Sequence, residues 1–188
     1  DFLLACRHAR VTEVRVSSEP ECVLNQRTGG EIVVRGFGAS DDGDLREARV
    51  YDDARAVYDW MVNTRGIPAS RIVIYGHSLG SGVASHLAAR VEAAGLILEG
   101  AFTSVPDVGA SRYPWMPIRA LATERFASIE RIDSIAMPKL LMHATDDQVI
   151  GFEFGERLFA AAPAPKEFVR LTGGHDRAFK ADSATYYG

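Results

Sequence analysis

A short apolar run, Ile72-Val73-Ile74-Tyr75, leads directly into Gly76-His77-Ser78-Leu79-Gly80, and small residues follow at Ser81, Gly82 and Ala84. Four β-prone residues have the length of a buried strand. The spacing G-x-S-x-G lets such a strand turn sharply into a helix with a serine at the tip, its hydroxyl outward. A side chain at position 76 or 80 would collide with the neighbouring strand or helix at so tight a turn. A helix starting at Leu79 leaves its first N–H groups beside the serine oxygen, where they stabilise negative charge. An ordinary βα turn with an incidental serine has the same local pattern, so the rest of the chain must decide between the two.

The remaining sequence alternates strand-like and helix-like segments. Glu31 to Arg35 reads as a strand, and Leu45 to Thr64 as a helix with Tyr51, Ala54, Val57, Tyr58 and Met61 on one face. A slim helix follows the serine turn to about Arg90, then strands at Gly95 to Glu99, Lys139 to His143 and Phe168 to Leu171, with a helix over Phe154 to Ala162. Phe2 to Cys6 is a further candidate strand. Glu19-Pro20-Glu21 suits a helix start, with Gly29-Gly30 as its end. Residues 100–137, broken by Pro106, Pro114 and Pro117, read as an irregular excursion with short helices. That excursion is either a surface connection packed by aromatics or a partial lid. No repeat or linker divides the 188 residues, so one α/β domain with a mostly parallel sheet and helices on both faces is expected. Gly36-Phe37-Gly38-Ala39-Ser40-Asp41 nearly matches G-x-G-x-x-G, but Asp41 replaces the last glycine and no Walker lysine follows, which rejects a nucleotide-binding reading.

The net charge of −4 and the lack of a long basic run argue against nucleic acid as a partner. Cys6 and Cys22 have no metal-ligand spacing and read as free thiols. No apolar run approaches membrane-spanning length and no signal-peptide pattern is visible, so the expected location is cytoplasmic. The chain begins with Asp1 rather than methionine, consistent with a processed, trimmed or partial product. Nothing in the sequence sets an oligomeric state.

A serine hydroxyl becomes a nucleophile only with a base to take its proton and a third group to orient that base. Functional loops of a parallel α/β sheet lie at the carboxyl ends of its strands. Three such loops carry Ser78, the pair Asp146 and Asp147, and His175. Serine, then acid, then histidine is the order expected when the nucleophile sits in G-x-S-x-G. His8, His77, His86 and His143 all precede the acidic loop, and only His175 comes after it. Either aspartate fits this reasoning.

From about Gly29 onward the chain resembles the α/β-hydrolase superfamily, a three-layer α/β/α fold. Within it the chain is similar to lid-poor serine hydrolases related to depalmitoylating thioesterases and serine-aminopeptidase-like enzymes. The matching pieces are Arg35-Gly36-Phe37-Gly38-Ala39-Ser40, Gly76-His77-Ser78-Leu79-Gly80, Glu99-Gly100-Ala101-Phe102-Thr103-Ser104, Tyr113-Pro114-Trp115, His143 to Ile150, and Gly173-Gly174-His175. The resemblance implies a serine hydrolase of esters or thioesters that forms an acyl-enzyme and uses no metal or organic cofactor. Its substrate would be a small-molecule or lipid acyl ester. Counting along the family's acid loop from His143 makes Asp147 the triad acid and leaves Asp146 on a variable, solvated position. The resemblance also implies an oxyanion donor at Leu79 and pocket walls at Phe37, His77, Phe102 and Trp115.

Two departures stand out. The two strands that normally open the sheet have no counterpart, leaving residues 1–30 divergent or truncated and Ile32–Arg35 as an edge strand. The loop that normally donates the second oxyanion N–H falls, by spacing, at Cys6 to Arg10, with alanine where glycine belongs. These departures keep open a catalytically impaired binding module, and a peptidase using the same triad is a rival within the enzyme class.

Overall fold

The computed structural model describes residues 12–17, 30–33 and 46–187. Six strands form one sheet: β1 (Thr12–Ser17), β2 (Gly30–Val33), β3 (Ile72–His77), β4 (Gly95–Glu99), β5 (Lys139–Ala144) and β6 (Lys166–Leu171). Their order is β2-β1-β3-β4-β5-β6, and every pairing is parallel. From β1 the chain steps outward to β2, then returns past β1 to build β3 and onward in the opposite direction. That reversal makes the carboxyl ends of β1 and β3 the switch point of the sheet, where ligands of open α/β folds bind. Ser78 leaves β3 at that place.

The helices are α1 (Glu47–Asp59), extended by a π-helical turn over Trp60–Thr64, α2 (Leu79–Ala88), α3 (Val105–Arg112), α4 (Ile118–Leu121), α5 (Phe152–Ala161), α6 (Ala178–Ala181) and α7 (Ser183–Tyr187). Alternating strand residues separate two cores. Ile72, Ile74, Leu96, Leu98 and Leu141 face a large cluster completed by Val50, Ala54, Tyr58 and Met61 of α1 and its extension, Val83, Ala84 and Leu87 of α2, and Phe154 and Leu158 of α5. Tyr75, Leu140, Met142 and Leu171 face a smaller cluster closed by Ala178, with Tyr186 packed against it. Helices therefore cover both faces of the sheet, the three-layer arrangement expected. Each fully buried Ile or Leu contributes roughly 1.5–3 kcal/mol.

Small residues on α2 let it approach the sheet and the excursion together. A Cβ at Gly82 would lie 2.9 Å from Phe126 Cβ. Phe126, Ile132 and Ile135 of the segment 126–135 accordingly enter the core, whereas Tyr113, Trp115, Met116 and Leu121 are exposed. The excursion over 100–137 thus splits into a packed half and a surface half, carrying the short helices α3 and α4 and two 3₁₀ turns.

Several expectations shift. The edge strand is β2, as expected, but runs Gly30–Val33 rather than to Arg35. A strand that the sequence pattern does not announce, β1 at Thr12–Ser17, lies inside the sheet. The candidate strand at Phe2 to Cys6 and the candidate helix from Glu19 lie outside the described residues. The oxyanion loop expected at Cys6 to Arg10 also lies outside them, and it precedes β1 in the chain. Because β1 and β3 run parallel, the end of β1 that shares the Ser78 side of the sheet is its carboxyl end at Ser17. Among the described residues no helix is long and apolar enough to cross a membrane.

Candidate active site

Ser78 sits between the last residue of β3 and the first residue of α2 with φ 52° and ψ −123°. Positive φ is uncommon for a residue with a side chain and marks stored strain of order 1–3 kcal/mol. The surroundings hold it there. Its backbone N–H donates to Glu99 O at 3.0 Å, and its carbonyl accepts from Ser81 N–H at 2.9 Å. Gly76 makes the turn possible, because a Cβ there would clash with the Gly80 carbonyl and lie 2.6 Å from Ala84 Cβ. Leu79 opens α2, so its N–H is one of the first-turn donors that no carbonyl within the helix can satisfy.

Loops at the ends of β5 and β6 bring the other two groups. His175 Nε2 lies 2.8 Å from Ser78 Oγ, and His175 Nδ1 lies 2.6 Å from Asp147 Oδ2. The side chains of His175 and Asp147 are only 8% and 1% exposed. A carboxylate can only accept, so Nδ1 carries the proton and Nε2 offers its lone pair to the serine O–H. The second carboxylate oxygen is fixed by the backbone: Asp147 Oδ1 accepts from Val149 N–H and Ile150 N–H, each at 2.8 Å. Burial pushes the Asp147 carboxyl up, but hydrogen bonds from His143, His175 and the Ile150 backbone override it and hold the group well below the usual carboxylate range. Burial likewise pulls His175 down, and the adjoining Asp147 carboxylate overrides it, so His175 titrates above the ordinary histidine value.

The structure separates the two aspartates that the residues alone left open. Asp147 turns inward to His175. Asp146 is exposed, and its carboxylate accepts from Gly173 N–H at 3.0 Å. That bond ties the acid loop to the loop presenting His175, whose Gly173 and Gly174 take φ 108° and 72°.

The expected pocket walls fare unevenly. Phe37 lies outside the described residues. His77 is beside the site, its Nε2–H donating to His175 O at 3.1 Å and its ring centroid 5.1 Å from that of His175. Phe102 is 2% exposed and belongs to the large core, so it offers almost no surface to a ligand. Trp115 is 76% exposed and meets Tyr113 edge-on at 6.4 Å, in the surface half of the excursion.

Two supporting residues escaped sequence reasoning. His143, set aside there as a base, is buried under the acid loop: its Nε2–H donates to Ile150 O at 2.9 Å and lies 3.5 Å from Asp147 Oδ2. Its Nδ1 is buried without a hydrogen-bond partner, against Gly155 of α5. Glu99 is a buried carboxylate at the end of β4 that accepts from Tyr75 Oη–H and, at 2.8 Å, from Tyr186 Oη–H of α7. Burial, with Glu99 alongside, pushes the Tyr75 hydroxyl well above its ordinary value. An acid ending an apolar strand was the available signal for Glu99. The next residue, Gly100, has φ 54°, and a Cβ there would lie 3.3 Å from His175 Cε1 and 3.8 Å from Asp147 Oδ2.

The family model for the alpha/beta hydrolase family matches residues 24–187. The chain belongs to that family. Among curated relatives, an uncharacterized protein of Mycobacterium tuberculosis is 39% identical over 143 residues, covering 76% of this chain and 50% of that one. A Danio rerio protein named lysophosphatidylserine lipase ABHD12 is 33% identical over 150 residues, covering 70% of this chain and 38% of that one. The chain spans about half the length or less of these curated relatives. Among solved structures, an acetyl xylan esterase from Paenibacillus sp. R4 superposes with a TM-score of 0.74 at 17% identity, covering 95% of this chain and 73% of that one. At that identity the likeness shows the fold.

Proposed function

We propose that the chain carries the active site of a serine hydrolase that cleaves carboxylic esters or thioesters through an acyl-enzyme. The observation that supports this most is the continuous hydrogen-bond chain from Ser78 Oγ through His175 to Asp147, built on a serine held at positive φ. Family membership and a relative named as a lipase support an acyl ester as substrate.

In this reading His175 Nε2 takes the Ser78 proton as Oγ attacks the acyl carbon. The imidazolium that forms is stabilised by Asp147, whose two oxygens are held by His175 and by the backbone. The tetrahedral oxyanion accepts from the Leu79 N–H at the positive end of α2. Collapse breaks the bond to the leaving alcohol or thiol, and His175 returns the proton to it. Water then gives its proton to His175 and attacks the acyl-enzyme, and the acid leaves with Ser78 regenerated. The reading needs no metal or organic cofactor.

A chain-length series of p-nitrophenyl esters tests it. Hydrolysis is expected for the wild-type chain, with Ser78→Ala losing about 10³-fold or more of the rate. A Ser78→Ala protein that hydrolyses the series at the wild-type rate overturns the reading.

A further inference from the structure

Three side chains at the triad histidine share a second chemistry. His77, His175 and Asp176 each offer a ligand atom, and these atoms lie within 4.8 Å of one another. Asp176 is exposed and His77 partly so, which gives a solvated cation an approach to the edge of the cluster, while the His175 ring lies largely buried behind them. Imidazole nitrogens with a carboxylate suit Zn²⁺, which takes His at about 2.0–2.1 Å and carboxylate oxygen at about 2.0–2.2 Å in a tetrahedron. Such a tetrahedron sets its ligands roughly 3.3 Å apart, so the three groups need to close by little more than a rotamer change. Swinging Asp176 inward and releasing the His77 bond to His175 O supplies that movement.

His175 is already oriented as a zinc-ligating histidine is. Its Nδ1 is backed by the Asp147 carboxylate at 2.6 Å, which leaves Nε2 as the nitrogen a cation can take. Metal-bound histidines characteristically donate their other N–H to a carboxylate, which raises the basicity of the ligating nitrogen. The geometry that prepares Nε2 for the serine proton therefore also prepares it for a metal. Ser78 Oγ, 2.8 Å from that nitrogen, stands where a fourth ligand or a displaced hydroxyl would be.

We infer that His77, His175 and Asp176 form an inhibitory site for Zn²⁺ or a cation of the same class, mutually exclusive with catalysis. The Nε2 lone pair that binds the metal is the one that takes the Ser78 proton, so the bound chain cannot acylate. The inhibition rests on the proposed hydrolase reading, but the site exists whether or not the chain turns over esters. A hard cation such as Mg²⁺, which prefers oxygen ligands, does not compete for it.

The test uses the full chain with Cys6 and Cys22 replaced by serine, which removes thiolate binding. Calorimetric titration with ZnCl₂ reads binding directly, and ester hydrolysis with and without Zn²⁺, then chelator, reads inhibition. The expected result is one equivalent bound, inhibition reversed by chelator, and no effect of Mg²⁺. Asp176→Asn keeps the basal rate, while its zinc affinity and half-inhibition concentration weaken by roughly tenfold or more. His77→Gln weakens zinc binding likewise. Asp176→Asn and His77→Gln proteins that bind zinc and are inhibited as the parent is overturn the inference, as does a hydrolytically active chain that Zn²⁺ neither binds nor inhibits. Zinc binding that both variants lose, in a chain with no esterase activity, sustains the metal site and fails the hydrolase reading instead.

Discussion

Replacing Asp147 by asparagine removes one charge and almost no volume, and the hydrogen bonds around the side chain dictate its effect. Two backbone N–H groups, of Val149 and Ile150, point at Asp147 Oδ1 from 2.8 Å. The asparagine must present its carbonyl oxygen to them, since the reverse orientation would set an NH₂ group against two donors. Its NH₂ group then faces His175 Nδ1, which becomes an acceptor. The imidazole switches tautomer, and Nε2 carries a proton where it needs a lone pair to receive that of Ser78. A loss of about 10⁴-fold in kcat is expected, close to 5 kcal/mol of transition-state stabilisation. The assay is steady-state hydrolysis of a p-nitrophenyl ester, with circular dichroism showing that the variant is folded. The acid limb of the residual activity moves to lower pH, because burial still depresses the His175 pKa while the carboxylate that raised it is gone. A folded Asp147→Asn protein with kcat within about tenfold of wild type refutes this role for Asp147.

Four other outcomes are expected. Gly76→Ala forces a Cβ into the Gly80 carbonyl and Ala84; overpacking of this kind costs about 1–3 kcal/mol, a fall of several degrees in Tm by thermal denaturation, and an unchanged Tm contradicts the tight-turn argument. Gly100→Ala combines φ 54° with a methyl group 3.3 Å from His175 Cε1, so kcat drops by tenfold or more on the order of 1–2 kcal/mol of backbone strain, which ester kinetics beside a melting curve will separate. Tyr186→Phe removes one of two hydroxyl donors to the buried Glu99 carboxylate and lowers stability by about 1–3 kcal/mol in a denaturant titration, with kcat little changed. His175 has a raised pKa in the folded chain. Its stabilising contribution is complete below the unfolded value of about 6.5 and is lost as pH rises through the folded one, so His175→Ala lowers Tm more at about pH 5 than at about pH 9.

The hydrogen-bonded set Ser78, His175 and Asp147 was legible because each of its members comes after a strand with a strong signal of its own. Ile72 to Tyr75, Leu140 to Met142 and Phe168 to Leu171 are apolar runs, and the loops after them hold Ser78, Asp147 and His175 in chain order. Choosing Asp147 over Asp146 needed the family spacing, since both are acids one residue apart and what separates them, the contact with His175 and the Val149 and Ile150 N–H groups, exists only in the folded loop. β1 was not legible. Thr12-Glu13-Val14-Arg15-Val16-Ser17 alternates apolar and polar residues, the pattern of a half-exposed strand, whereas interior parallel strands usually read as continuous apolar runs. Phe102 misled, because an aromatic's sequence neighbourhood does not say whether it faces a core, a pocket or water. Glu99 acts on Tyr75 and Tyr186, 24 and 87 residues away, reached through the fold rather than along the chain, and His143 meets Asp147 only because the loop after β5 turns back over it.

The central claim is that Ser78 is an activated nucleophile. A fluorophosphonate probe followed by peptide mapping in a mass spectrometer measures that directly. One equivalent of label on the peptide containing Ser78 is expected, absent in Ser78→Ala and strongly slowed in His175→Ala. A folded chain that takes no label, or takes it on another residue while Ser78 stays unmodified, contradicts the claim.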